Sequence, residues 1–115
     1  MIDSYDFGVM VINGKKYTSD LIVYQEKVFD GWWRREGHRL FVEDLDRIFS
    51  FEPKPQVLVV GTGFSGLLKV SSAVQEFLKS HGIELIAQPT KEAFQTFNKI
   101  LASGKRVAGA FHLTC

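Results

Sequence analysis

The run V-L-V-V, Val57 to Val60, leads directly into G-T-G-F-S-G, Gly61 to Gly66. No other stretch constrains the fold as tightly. A short run of branched apolar residues is a strand buried on both faces, the kind found in parallel sheets. G-x-G-x-x-G placed right after such a strand is the mark of a dinucleotide-binding turn. The residues beyond Gly66 repeat one rhythm. S-S-A-V-Q-E-F-L-K-S-H-G predicts a helix capped by Ser71 or Ser72, with Val74, Phe77 and Leu78 on one face and Gly82 as its stop. I-E-L-I-A-Q-P is a second strand closed by Pro89. T-K-E-A-F-Q-T-F-N-K-I-L-A-S-G is a second helix, with Thr90 able to cap it, Glu92 in the first turn and Gly104 ending it. K-R-V-A-G-A-F-H-L-T-C is a last strand running to the end of the sequence. With the first strand set at Gln56 to Val60, the order is β-α-β-α-β. Two right-handed crossovers then give three parallel strands covered by helices.

The first half reads differently. F-G-V-M-V-I-N-G-K-K-Y-T-S-D-L-I-V-Y alternates on either side of Asn13-Gly14, a hairpin turn in which both residues tolerate positive φ. A third strand is expected over roughly Lys27 to Arg35. Adjacent Trp32 and Trp33 then face opposite sides, one inward and one outward. V-E-D-L-D-R-I-F predicts a short helix with Leu45, Ile48 and Phe49 on one face, and Glu43, Asp44 and Asp46 on its acidic start and solvated side. Pro53 and Pro55 end that segment. The fold class is therefore α/β: N-terminal antiparallel strands plus a β-α-β-α-β unit, forming a mixed sheet packed with helices. One domain over residues 1–115 is expected, although the sequence does not choose between strands that extend the parallel sheet and strands that form a layer of their own.

The glycine turn fails two tests of nucleotide binding. Its helix should open at the loop so that free amides receive the pyrophosphate, yet the caps Ser71 and Ser72 come five or six residues after Gly66. The next strand should end at an acid for the ribose, and Gln88 stands there instead. A Walker A loop is absent too, since Lys69 is not followed by the pattern that holds phosphate and Mg²⁺. No cofactor is expected. Gly61 and Gly63 are better explained as a route out of a buried strand, with Gly66 permitting close packing.

A ligand of an open parallel sheet sits beyond the carboxyl ends of its strands. That edge gathers Gly61, Thr62 and Gly63 from the first strand. Gln88 and Thr90 come from the second, and His112, Thr114 and Cys115 from the third. Free loop amides there would suit a small anion. His112 and Cys115 also have the chemistry of a nucleophile pair, but residues three apart in a strand face opposite ways. A structural hydrogen bond for the histidine and a buried place for the cysteine are the simpler expectations, so no catalytic residue is assigned. Three histidines and one cysteine without ligand spacing predict no metal site. His81 sits where it complements a helix C-terminus. Phe29, Trp32, Trp33 and Arg34 form the candidate protein-contact surface, because aromatic side chains beside arginine are common in interfaces.

Composition narrows the classes. Apolar residues make up 45% and charged residues 23% of the 115, as in globular chains. No apolar run approaches the roughly 20 residues of a membrane span. The net charge of +1, with basic residues scattered in pairs, indicates no nucleic acid. A single cysteine offers no disulfide framework, and the first residues show no secretory leader, which together lead to an expected cytoplasmic location.

The quoted segments also carry a resemblance. F-G, I-N-G-K-K-Y-T-S-D-L-I-V, W-W-R-R-E-G-H, V-L-V-V-G-T-G, G-I-E-L-I-A-Q-P-T-K-E-A-F-Q-T-F-N and R-V-A-G-A-F-H-L-T-C, in this order, resemble the Mth938-like domain family over essentially the whole length. The resemblance implies an α/β fold with a mixed sheet. One mitochondrial branch of that family is associated with assembly of respiratory complex I and another with adipocyte differentiation. It transfers no catalytic residue. The expectation is an uncharacterised, non-catalytic domain working through protein contacts in assembly. The alternative is a small-molecule or anion binder, or an enzyme, at the carboxyl edge near Gly61–Gly63, Thr90 and His112–Cys115. No Arg-rich presequence is present, so a mitochondrial address is not expected.

Overall fold

In a computed structural model describing residues 1–115, the strand Val57–Thr62 (β7) is buried at every position and lies inside a five-stranded sheet. The chain before it forms β1 (Ile2–Asp6), β2 (Val9–Ile12), β3 (Lys15–Tyr17), β4 (Leu21–Tyr24), β5 (Lys27–Asp30) and β6 (Arg39–Leu40). A 3₁₀ turn, Val42–Leu45, runs into α1 (Asp46–Phe49). After β7 come β8 (Lys69–Val70), α2 (Ser72–Ser80), β9 (Glu84–Gln88), α3 (Thr90–Ala102) and β10 (Val107–His112). The large sheet has the order β5-β4-β10-β7-β9, with β10, β7 and β9 parallel and β4 antiparallel to β10.

The expected β-α-β-α-β unit is present, and the N-terminal strands do both things the sequence left open. β4 and β5 extend the sheet, whereas β1, β2 and β3 form a separate antiparallel layer. Asn13 and Gly14, both at positive φ, make the β2–β3 turn. Alternation along the central strands sorts the core. Val57 and Val59 face Ile2, Met10 and Ile12 of the small layer and Ala93 and Phe97 of α3. Leu58 and Val60 face the opposite side, with Leu45, Ile48, Val74 and Leu78. Asn98 of α3 fastens the small layer, since its side chain accepts from Ile2 N at 2.9 Å and donates to Ile2 O at 2.8 Å.

Several boundaries differ from expectation, beginning with β7, which runs Val57–Thr62 rather than Gln56 to Val60. The strand placed at Lys27 to Arg35 stops at Asp30, because Gly31 takes φ 72° and turns the chain. The last strand stops at His112. V-E-D-L-D-R-I-F is split into a 3₁₀ turn and one α turn. Asp44 is buried rather than solvated: its carboxylate accepts from Phe41 N at 2.8 Å and Arg35 N at 3.1 Å. Thr90 does not cap α3. It is the first residue of the helix, with Pro89 at the cap and its hydroxyl engaged elsewhere. α2 starts late, as expected, with Ser71 Oγ accepting from Val74 N.

Candidate functional site

At the carboxyl edge, the chain is built around its own C-terminal residues. Thr90 Oγ1 is buried, accepts from Gly63 N at 2.9 Å and donates to His112 O at 2.7 Å, tying β7, α3 and β10 together. Phe64 N donates to Thr114 O at 2.7 Å, Leu67 N to Cys115 O, Leu68 N to Thr62 O, and Gly66 N to Gly63 O. These amides are the ones an anion would need. Their pairing within the chain leaves the anion expectation without support. The glycines serve close approach. A Cβ at Gly63, where φ is 106°, would lie 2.5 Å from the carbonyl of Cys115 and 2.8 Å from the His112 ring. A Cβ at Gly61 would lie 2.7 Å from the Phe111 ring and 2.8 Å from Thr90 Oγ1.

The edge does bring Gly61, Thr62, Gly63, Thr90 and His112 together. Gln88 lies beside Gly61 in the sheet, with its side chain accepting from Thr96 Oγ1 at 2.7 Å. Cys115 is exposed, not buried as expected, and no hydrogen bond joins its thiol to His112. Neither cleft on the surface includes any of these residues.

His112 instead belongs to a buried polar cluster that the sequence did not announce. Asp20, just before β4, is its centre. Asp20 Oδ2 lies 2.8 Å from His112 Nδ1 and 2.6 Å from Arg34 Nη1, and Oδ1 accepts from Leu113 N at 2.8 Å. A carboxylate only accepts, so His112 carries its proton on Nδ1. Arg34 Nη2, 3.1 Å from the same nitrogen, finds its acceptor in Gly37 O. Side-chain exposure is 6% for Arg34, 7% for His112 and 18% for Asp20. Burial pushes the Asp20 carboxyl up, but the bonds from His112, Leu113 N and Arg34 outweigh it and hold the pKa below the ordinary range. Arg34 Nε and His112 Nε2 are buried without a partner. Nearby, Tyr5 donates to Leu113 O at 2.8 Å. Its pKa is pushed up to about 12, by burial first and then by Asp6 and Asp20. The arrangement clamps the end of β10 to the 31–38 segment, and its carboxylate is saturated by structural donors. Asp20 could be found only by knowing that β4 pairs with β10, which no local pattern reveals.

Of the predicted contact residues, Arg34 belongs to that clamp, its side chain only 6% exposed, and so does not offer the contact surface expected of it; Phe29, Trp32 and Trp33 lie beside it. Trp32 is half-buried, its Nε1 donating to Asp44 O at 2.9 Å, with the Arg34 guanidinium 4.7 Å from its ring centre. Trp33 points out and is 77% exposed. Phe29, Trp32 and Trp33 line one cleft of about 240 Å³ together with Asp30, Asp46 and Arg47; Arg34 is not part of it. A second apolar surface was missed. Phe7, Phe64 and Leu67 are exposed, with the Phe7 and Phe64 rings edge to face at 5.6 Å.

Fold and site together define a small α/β module. Its parallel-strand edge is sealed by its own backbone, and its large aromatic side chains stand at the surface. The chain belongs to the family described as Protein of unknown function (DUF498/DUF598), whose model matches residues 2–112. It is 32% identical over 110 residues to human NADH dehydrogenase [ubiquinone] 1 alpha subcomplex assembly factor 3, covering 95% of this chain and 58% of that protein. The Danio rerio protein of the same name is 39% identical over 111 residues, covering 96% and 62%. The chain thus spans about three-fifths of the length of these relatives. Among solved structures, a conserved hypothetical protein of Pyrococcus horikoshii OT3 superposes with a TM-score of 0.82 at 27% identity, covering 100% of this chain and 99% of that one. A Mth938-like domain from Bordetella pertussis shares the fold, with a TM-score of 0.69 at 20% identity over 98% of this chain and 85% of that one. The Mth938-like resemblance and the mixed-sheet α/β class both hold. No helix is long and apolar enough to cross a membrane.

Proposed function

We propose that this chain is a non-catalytic module that acts through protein contacts in the assembly of a larger complex, as one domain over residues 1–115. The observation that carries the reading is Trp33, 77% exposed at the rim of an aromatic cleft. An exposed tryptophan beside arginine and aromatic neighbours has the composition of an interface hot spot. Two relatives named as assembly factors, matched over nearly this whole chain, support the assembly role. Use of the carboxyl-edge glycines for packing supports the non-catalytic part. The reading includes a cytoplasmic or equally reducing location, supported by the single unpaired Cys115.

Affinity capture from cells that make the protein tests it, with Trp33→Ala run in parallel. The expected result is at least one reproducible partner that the substitution depletes, with the circular dichroism of the variant unchanged. A catalogue without a reproducible partner would overturn the reading.

A further inference from the structure

The Trp33 cleft has a charge and a chemistry that single out one kind of occupant. Its lining carries four carboxylates, Asp30, Glu43, Asp44 and Asp46, against one cation, Arg47. Two of the four are already used. Asp44 holds the backbone amides of Arg35 and Phe41, and Glu43 pairs with Arg35 at 3.0 Å. Asp30 and Asp46 enter none of the ion pairs of the fold. Arg47 lies with its guanidinium 4.9 Å from the centre of the Phe29 ring. The cleft therefore presents unspent negative charge beside an exposed indole.

The protein also shows how its aromatic rings are covered in this region. Arg34 lies over Trp32 at 4.7 Å, Arg35 over Phe41 at 5.1 Å and Arg47 over Phe29 at 4.9 Å. Three neighbouring rings each carry a guanidinium from the same chain, and Trp33 carries none. A planar cation with flanking carboxylates is the arrangement in which stacking and ion pairing act on one side chain. Resting on the protein-contact reading, the geometry points to a partner protein that inserts an arginine side chain against Trp33, its guanidinium held by Asp30 and Asp46. Lysine fits less well, because a compact ammonium cannot stack flat on the indole while reaching two carboxylates.

The test uses the full chain and a blocked pentapeptide, acetyl-Gly-Gly-Arg-Gly-Gly-amide, with citrulline and lysine versions as controls. Titration is followed by ¹H–¹⁵N spectra at the Trp33 indole and the backbone of residues 30–33. The expected result is saturable shifts at Trp33 with the arginine peptide, weakened at least about tenfold by citrulline, equivalent to roughly 1.4 kcal/mol. Trp33→Ala and the double variant Asp30→Asn with Asp46→Asn should each weaken binding by a similar factor, and added salt should weaken it further. All three positions lie at the surface of the cleft, and unchanged amide dispersion elsewhere will show that the variants fold. Equal binding of the citrulline peptide, tighter binding of the lysine peptide, or no perturbation at Trp33 would each overturn the assignment. If affinity capture still yields a Trp33-dependent partner, the protein-contact reading stands without it.

Discussion

Adding one methyl group at Gly61 loads the packing of the strand edge without asking anything of the backbone. An alanine Cβ there would stand 2.7 Å from Phe111 Cδ1, 2.8 Å from Thr90 Oγ1 and 3.3 Å from Thr90 Cα. The Phe111 ring is fully buried and packed edge to face on Phe97 at 5.9 Å, so it has little room to turn aside. Overpacking of this kind costs about 1–3 kcal/mol. Displacing Thr90 Oγ1 also weakens its bonds to Gly63 N and His112 O, at about 0.5 kcal/mol each. The total is about 2–4 kcal/mol. At roughly 2.1 cal/mol/K per residue, unfolding this chain carries about 0.24 kcal/mol/K, so Tm should fall by about 8–16 °C. Thermal and urea unfolding followed by circular dichroism measures it. Phe111→Leu, which trims the ring the new methyl would strike, should couple with Gly61→Ala by at least about 1 kcal/mol in a double-mutant cycle. A Gly61→Ala variant within about 0.5 kcal/mol of the parent, or strict additivity with Phe111→Leu, would refute the packing explanation of this glycine.

Two further outcomes concern the same edge. Thr90→Val keeps the shape and removes the hydroxyl, leaving Gly63 N and His112 O without partners. It should cost about 2–4 kcal/mol and speed hydrogen exchange at Gly63 selectively; a loss under about 0.5 kcal/mol would show that water replaces the hydroxyl. Asp20→Asn strips the countercharge from Arg34 and the Nδ1 partner from His112, at about 3 kcal/mol near neutral pH. Because the folded pKa of Asp20 is lowered, its stabilisation is fully present above the unfolded value near about 3.9 and is lost as pH falls from there through the folded value. The gap between parent and Asp20→Asn in urea midpoints should therefore narrow at acid pH, and a gap that stays constant would contradict the linkage.

Local pattern was enough for the second half of the chain and not for the first. The strand at β7, the late start of α2 and the end of α3 at Gly104 are each written in contiguous residues, through branched apolar runs, a serine cap and stop glycines. The strands β4 and β5 join the large sheet for a reason no window contains: β10, from the far end of the sequence, pairs with β4. Asp20 was invisible for the same cause, since its partners stand 14, 92 and 93 positions away. Thr90 misled in an instructive way. A threonine at a helix start is ordinarily read as a cap, but here its hydroxyl satisfies two buried backbone groups of other segments, a stronger demand than an N-terminal amide that solvent can reach. Trp32 and Trp33 do split inward and outward as expected, but not through strand alternation, since the strand has ended at Asp30; Trp32 is drawn in by its bond to Asp44 O.

The carboxyl edge of a parallel sheet binds ligands when three things are left over there: free amides, room beside the backbone and a crevice between diverging connections. In this chain most of the amides and the room beside the backbone have been taken up from within. The amides of Gly63, Phe64, Gly66, Leu67 and Leu68 bond to Thr90, Thr114, Gly63, Cys115 and Thr62 in turn, and Gly8 N donates to Leu113 O at 2.7 Å from the small layer. The room that Gly61 and Gly63 provide is filled by Phe111, Thr90, His112 and Cys115. The connections after β7 and β9 do part to opposite faces of the sheet, through α2 and α3, but the cluster of Asp20, Arg34 and His112 pins the segment after β5 against the end of β10 beside them. A G-x-G-x-x-G turn can thus arise from self-packing alone, since close approach of chain to chain requires glycine as strictly as close approach of chain to phosphate. The same clamp has an outward consequence. It holds Arg34 over Trp32, whose Nε1 separately bonds Asp44 O, and the neighbouring Trp33 stands with its indole facing solvent beside that anchored residue. On the protein-contact proposal, a partner that covers Trp33 meets neighbours already held in place, which lowers the ordering cost of association.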